Sequence, residues 1–175
     1  MKNIYLINSG KPEFQNDSFD SINSFETNTL SNLGLEQSRA LGFALREKEL
    51  DLIVTSDFND ALATAACIAV GQSANLIAAV SLRDQSVHEP SSVFFKRVVS
   101  YYKTLLQSNE KNIALVSHTG VIRAIITNIL GISEDYCNRL SIDYGSVSVI
   151  IKEGEICYLK SLNTKIPLDA YNAVE

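Results

Sequence analysis

Short apolar runs that each end in a polar turn constrain the fold of this chain more than any other feature of the sequence. Each run is aliphatic or β-branched and has the length of a buried strand, and the second and third lead into helical segments. The runs cover residues 4–7, 52–55 and 113–116. Because strands that alternate with helices form a mostly parallel sheet covered by helices, we expect an α/β fold, a three-layer α/β/α sandwich.

The remaining segments fit a single domain of this kind over residues 1–175. Ser31 is the expected N-cap of the first helix. The predicted helices cover residues 36–48, 59–70, 93–106 and 121–130. Two strand-like runs, 147–151 and 156–160, flank a turn with a glycine and predict a C-terminal hairpin. The polar stretch 11–29 follows no sustained period, which predicts a long loop.

Composition excludes several classes of function. A net charge of −5 and a pI of about 5.1 provide no basic field for a polyanion, so nucleic acid is not an expected partner. No apolar run reaches about 18 residues and no leader-like segment opens the chain, which favours a cytoplasmic protein without membrane contact. The three cysteines form no close pair and there are only two histidines, so we expect no disulfide, metal site or cofactor.

Polar residues that can perform chemistry follow the predicted strands. Asn8-Ser9-Gly10 ends the first run, Ser56-Asp57 ends the second, and Ser117-His118 ends the third, directly before a helix. Parallel sheets bind ligands at the carboxyl ends of their strands, and a helix N-terminus there offers free N–H groups and a positive dipole end. These turns are therefore the first candidates for a functional site.

The motifs at these turns have a recognisable order and spacing. They read NSG at 8–10, SDFNDALATA at 56–65 and IALVSHTG at 113–120, with a helix entry LSNLGLEQ at 30–37. Together they resemble the histidine phosphatase (phosphoglycerate mutase-like) superfamily, whose first strand ends in Arg-His-Gly and whose middle segment carries Ser-Asp-Leu-x-Arg-Ala-x-x-Thr-Ala. The resemblance covers about residues 3–150 and implies a phosphoglycerate mutase-like fold.

The resemblance also implies roles for individual residues. The family's nucleophilic histidine falls at Ser9, and the two arginines that clamp phosphate fall at Asn8 and Asp60. His118 matches the second family histidine, and Asp84 resembles the acidic proton donor. The candidate catalytic residues are His118, Asp84 and Ser9, and the candidate ligand-binding residues are Asn8, Gly10, Lys11, Asp60, Thr119 and Gly120.

These replacements predict a family member that has lost phosphoryl transfer and serves as a binding or regulatory domain. A serine hydroxyl is not activated without an adjacent base, and a phosphoserine is more inert than a phosphohistidine. A phosphate dianion would also meet like charges at Asp60 and Asp84, and two such charges about 4 Å apart repel by roughly 4 kcal/mol at an effective dielectric of about 20. The expected partner is a small anionic ligand or a protein, and the oligomeric state stays open.

Two enzymatic alternatives stay open. The first is an active phosphatase on a small phosphorylated metabolite, in which His118 or water attacks and Asp84 acts as the acid. The second is a hydrolase in which Ser9 attacks with His118 as its base, although no Gly-x-Ser-x-Gly elbow supports it. Asp60 also has a structural explanation, because an acidic side chain in the first turn of a helix complements the dipole.

Overall fold

A six-stranded sheet organises the part of the chain that this computed structural model describes, residues 1–13 and 28–168. The strands are β1 (Lys2–Asn8), β2 (Leu52–Thr55), β3 (Asn75–Ala78), β4 (Asn112–Ser117), β5 (Ser146–Glu153) and β6 (Ile156–Lys165). Their order across the sheet is β3-β2-β4-β1-β5-β6. The first four in that order run parallel, whereas β5 and β6 form an antiparallel hairpin beside β1.

Helices cover both faces of the sheet. They are α1 (Asn32–Leu45), α2 (Asn59–Ala69), α3 (Ser91–Gln107) and α4 (Thr119–Leu130), with 3-10 turns at Arg46–Lys48, Val80–Leu82 and Glu134–Arg139. Side chains alternate along β1, so Tyr5 and Ile7 cluster with residues of α1 and α2, whereas Ile4 and Leu6 cluster with residues of α3 and α4. Burial on both faces explains why β1, β2 and β4 contain continuous apolar runs.

The predicted α/β/α sandwich with a mostly parallel sheet and a C-terminal hairpin is confirmed. The helices differ from their predicted bounds by a few residues, and α1 begins earlier than predicted, directly after Ser31, whose Oγ caps it by accepting from the Gly34 N–H. Strand β3 was not predicted because it is short and fully exposed, so it carries no buried pattern. Most of the predicted loop over 11–29 lies outside the described residues. Within the described ranges, no helix has the length and apolarity needed to span a membrane.

Helices α1 and α2 approach each other closely at Gly42. This residue is buried, and a Cβ there would come within 2.5 Å of the Cys67 carbonyl oxygen on α2. A backbone carbonyl cannot move aside as a flexible side chain can, so the contact of the two helices depends on a residue without a side chain.

Gly42→Ala should therefore destabilise the protein by about 1–3 kcal/mol, the usual effect of overpacking. On an exposed helix face the same change stabilises by about 1 kcal/mol, so the sign of the effect reports on the contact. Urea unfolding followed by circular dichroism measures the free energy. Arg39→Ala, on the exposed face of α1, is the matched control and should change it by less than about 0.5 kcal/mol. A more stable Gly42→Ala variant would contradict the close approach.

Candidate functional site

The register of the parallel strands brings the polar turns to one edge of the sheet. Asn8 pairs with Ser117 across β1 and β4. The ladder continues beyond the strands, because the Ser9 N–H donates to the Ser117 carbonyl and the Ser56 N–H donates to a carbonyl of β4, both at 2.9 Å. Ser9, Ser56 and His118 therefore emerge side by side at the carboxyl ends of three neighbouring strands.

Asp60, in the first turn of α2, connects these turns. It is 5% exposed, and its Oδ2 accepts a hydrogen bond from Ser9 Oγ at 2.9 Å. The same oxygen lies 3.7 Å from His118 Nδ1, and Oδ1 accepts from the Ala61 N–H at 2.9 Å. The carboxylate therefore complements the helix N-terminus, as the structural explanation expects, and also faces the site.

His118 has a polar partner on each side of its ring. Nε2 lies 2.9 Å from Ser56 Oγ, and the ring packs at a tilt against Phe58 with 5.1 Å between centroids. Because Asp60 faces Nδ1, the arrangement favours the tautomer with its proton on Nδ1, which leaves Nε2 to accept the Ser56 hydroxyl. Ser56 was expected at this edge of the sheet because it ends a strand, but it was not predicted as a catalytic or ligand-binding residue.

The alternative that pairs Ser9 with His118 as its base does not match the geometry. Ser9 is fully buried, and its hydroxyl donates to Asp60. It is Asp60, and not Ser9, that faces Nδ1 of the imidazole, while Ser56 contacts the other ring nitrogen. The carboxylate therefore stands between the serine and the histidine.

Asn8 and Gly10 anchor the turn that follows β1. Asn8 Nδ2 donates to Thr119 Oγ1 at 3.1 Å and to the Asp143 carbonyl at 3.0 Å, and the Gly10 N–H donates to Thr64 Oγ1 at 3.0 Å. Buried Asn8 Oδ1 has no hydrogen-bond partner among the described residues. Of the predicted ligand-binding residues, Asn8 and Thr119 are thus in direct contact.

Asp84 reaches the same edge from the loop after the Val80–Leu82 turn. Its Oδ1 accepts from the Gln85 N–H at 3.0 Å, and a Cβ at position 120 would overlap this oxygen. Gly120 lies in the first turn of α4, so the missing side chain allows the carboxylate to approach the helix N-terminus. Asp84 and Gly120 were predicted separately, and the structure brings them into contact.

Tyr144 and Lys11 lie at the rim of this region. Burial raises the pKa of the Tyr144 phenol, and the negative charges of Asp60 and Asp84 raise it further, so the phenol lies in the field of both carboxylates. Tyr144 was missed because no local pattern marks it. Lys11 is exposed, and within the described chain it forms no ion pair with Asp60 or Asp84.

Two helices begin at this edge without side-chain caps. The N-cap residues of α2 and α4 are Phe58 and His118, and neither side chain accepts a hydrogen bond from its helix. The first N–H groups of a helix have no intrahelical partner, and with the dipole they amount to about half a positive charge. Because Asp60 already accepts from the Ala61 N–H in α2, it is the N-terminus of α4 that can hold an anion through backbone groups.

Two cavities differ in their relation to this edge. One of about 730 Å³ opens at the amino ends of the strands, where Leu50, Ser73 and Lys111 line it, and it includes no predicted site residue. The other, of about 280 Å³, lies beside the candidate site, where Lys11 and Tyr144 line it. Among the described residues, no group of three or more His, Cys, Asp or Glu side chains could hold a metal ion.

Comparisons with known proteins point to one superfamily. The profile of the histidine phosphatase superfamily (branch 1) matches residues 81–165. "Putative phosphoserine phosphatase 2" of Hydrogenobacter thermophilus is 24% identical to this chain, and the match covers 93% of this chain and 96% of that protein. These two findings support the histidine phosphatase superfamily.

Solved structures share the fold. The alpha-ribazole phosphatase from Shigella flexneri matches with a TM-score of 0.80 at 21% identity, over 93% of this chain and 96% of its own. A mutant phosphoserine phosphatase from Entamoeba histolytica, in complex with phosphoserine, matches with a TM-score of 0.76 at 16% identity, over 94% of this chain and 98% of its own. The fold is therefore phosphoglycerate mutase-like.

The prediction of a non-catalytic protein is wrong. The similar proteins are named as phosphatases, which points to an enzyme. The absence of the family's motif residues does not exclude catalysis. Asp60 beside His118 supplies a carboxylate and an imidazole, the two groups that most often transfer protons in catalysis.

Arg83 binds Asp57 next to the site. The guanidinium makes a bidentate contact, with Nε to Oδ1 at 2.8 Å and Nη2 to Oδ2 at 2.7 Å. The hydrogen bond from Arg83 lowers the pKa of Asp57 below its ordinary value of 3.8, and the charges of Arg83 and His118 lower it further. The guanidinium also lies 5.3 Å from the Phe58 ring, which packs on His118.

Asp57→Asn should lower the free energy of unfolding near neutral pH by about 1 kcal/mol, because the pair is partly exposed and screened by solvent. The folded pKa is depressed, so the stabilisation is fully present above the ordinary value of 3.8 and is lost as the pH falls through the folded pKa. Urea unfolding from about pH 7 to pH 3 should show the two proteins converging in acid. Glu36→Gln, at an exposed position on α1, is the control, and a pH-independent difference would contradict the pairing.

Proposed function

We propose that this chain is a phosphatase that hydrolyses a small phosphorylated metabolite without a histidine at position 9. The observation that carries the proposal is the buried contact of Ser9, Asp60 and His118 at the carboxyl ends of the parallel strands. The similarity to proteins named phosphoserine phosphatase and alpha-ribazole phosphatase supports phosphomonoesters as the substrate class. The site then works with groups that differ from the family's Arg-His-Gly motif.

The phosphoryl group binds at the N-terminus of α4 in this proposal. The first-turn N–H groups and the positive dipole end favour an anion there, and no side chain caps them. Thr119 lies in that turn, and its hydroxyl is already ordered by Asn8. Backbone donors of this kind replace part of the binding that guanidinium groups would provide, although with less charge.

Water is the attacking group that the geometry favours. Both ring nitrogens of His118 are turned towards protein oxygens, Nε2 to Ser56 and Nδ1 to Asp60, so neither is free to bond to phosphorus without a rearrangement. Asp60 instead accepts a proton from water as the water oxygen bonds to phosphorus. The imidazole keeps the carboxylate in position.

Asp84 completes the reaction as the acid. Its carboxyl group lies against Gly120 at the start of α4, next to the position proposed for the phosphoryl group. As the bond between phosphorus and the ester oxygen breaks, the protonated carboxyl group donates its proton to that oxygen. The products are inorganic phosphate and an alcohol.

His118→Ala and Asp60→Asn should each lower kcat for p-nitrophenyl phosphate and for phosphoserine by about 10²–10⁴-fold, the usual contribution of proton transfer. The reason is that each change removes one partner of the buried pair. Steady-state release of phosphate measures the rates, in buffer with and without a chelator.

His88→Ala is the matched control, because it removes the other histidine of the chain, which is exposed, and it should retain wild-type rates. A wild-type protein that releases no phosphate from either substrate would refute the proposed function. A phosphohistidine trapped at His118 would show that the imidazole, and not water, attacks phosphorus. The proposed phosphatase function would then stand.

Gly120→Ala should lower kcat by about 10²-fold, because a methyl group at this position displaces the Asp84 carboxylate. In an Asp84→Asn background the same change should cost little more, since both substitutions remove the same contribution. A double-mutant cycle on kcat tests this coupling. If the two substitutions lower the logarithm of kcat additively, Gly120 acts independently of Asp84.

A further inference from the structure

The loop that carries Asp84 is held in place by side chains from two other elements. Three successive backbone carbonyls that lead into Asp84 accept hydrogen bonds from side chains, those of Ser81, Leu82 and Arg83. Ser117 Oγ, at the end of β4, donates to the middle carbonyl at 2.6 Å. Arg97 Nη1, on α3, donates to both outer carbonyls at 3.0 Å. The backbone next to the proposed acid is therefore fixed from β4 and from α3.

Arg97 also binds the far side of this loop through Glu89. Its Nε donates to Oε1 at 2.9 Å and its Nη2 donates to Oε2 at 2.6 Å, which makes the contact bidentate. The hydrogen bond from Arg97 lowers the pKa of Glu89 below its ordinary value of 4.5, so the carboxylate is charged at neutral pH. The two side chains are 23% and 16% exposed, so solvent screens the pair only in part. One planar guanidinium thus joins the segments before and after Asp84.

Helix α3 also packs against the point where Asp84 meets α4. A Cβ at position 120 would overlap Asp84 Oδ1, and the same Cβ would lie 3.4 Å from Phe94 Cζ. Phe94 is buried one turn before Arg97 on α3, and its ring centroid lies 5.2 Å from the guanidinium carbon. The position of the Asp84 carboxylate therefore depends on α3 twice, through packing at Phe94 and through the hydrogen bonds of Arg97.

We propose that Arg97 is a positioning residue for proton donation by Asp84, an inference that rests on the proposed function. The guanidinium acts through the loop backbone, because its hydrogen bonds go to Glu89 and to the carbonyls before Asp84. Glu89 offsets its charge, so Arg97 does not replace a phosphate-clamping arginine of the family motif. An acid must lie within hydrogen-bonding distance of the leaving oxygen, and a displacement of about 1 Å lowers a rate by about 10²-fold.

The test uses two esters whose leaving groups differ in their need for a proton. p-Nitrophenolate is a stable anion and leaves without a proton, whereas the alkoxide of phosphoserine must be protonated as its bond to phosphorus breaks. Arg97→Met should therefore lower kcat for phosphoserine by about 10²-fold and kcat for p-nitrophenyl phosphate by at most about threefold. KM should change by less than about twofold for both esters, because contacts with the substrate are retained. Arg97→Lys keeps the charge without the planar fork, so its loss should be intermediate.

Three further variants make the comparison specific. Asp84→Asn should show the same dependence on the leaving group, and adding Arg97→Met to it should cost little more. Lys96→Met changes the exposed neighbouring cation of α3 and should retain wild-type rates for both esters. Glu89→Gln keeps the shape of the side chain and removes the charge that holds Arg97, so it should also slow phosphoserine more than p-nitrophenyl phosphate. Circular dichroism checks that each variant is folded, and Glu89→Gln carries the test if Arg97→Met does not fold.

Equal losses for the two esters in the folded variants would overturn the inference and leave the phosphatase proposal standing, because a general loss of structure affects both reactions alike. Unchanged rates for both esters, or an undiminished loss from Arg97→Met in the Asp84→Asn background, would overturn it as well. A wild-type protein that hydrolyses neither ester would overturn the inference together with the proposed function.

Discussion

The parallel pairing of β4 with β1 and β2 is the constraint on which the rest of the structure depends. Backbone hydrogen bonds hold Asn8 level with Ser117, so Asn8 and Thr119 meet although 111 residues separate them in the chain. Helices α2 and α4 follow β2 and β4 closely, which directs their N-termini to the same edge. A shift of the register by one residue would turn each strand's side chains to the opposite face and disperse the site.

The buried carboxylate of Asp60 is the second requirement of this site. Burying a charge costs free energy unless hydrogen bonds and nearby charges offset the loss of water. Ser9, the Ala61 N–H and the N-terminus of α2 provide that environment, with His118 beside them. The same contacts hold the carboxylate in place for the proposed proton transfer. Thus the residue that suggested the loss of a phosphate clamp is the one on which the proposed hydrolysis depends.

Much of the fold could be predicted because its signals are local. Strands buried on both faces are continuous apolar runs, and each amphipathic helix shows its buried face in its own sequence. Strand β3 escaped prediction because it is an exposed edge strand, defined by backbone pairing with β2 and not by its side chains. At the site, the rule that ligands bind at strand ends identified Asn8, Ser9 and His118. Ser56 was expected at a strand end but received no role, and Tyr144 was missed, because their partners are distant in the chain.

By itself, the sequence determined the layered α/β architecture, the order of its main elements and the edge of the sheet at which chemistry is expected, because each of these follows from short-range patterns of apolar and polar residues. Only the tertiary structure decided that Asp60 lies between Ser9 and His118 and that Asp84 rests against Gly120. These contacts depend on distances of a few ångströms across several elements, and no local pattern encodes such distances.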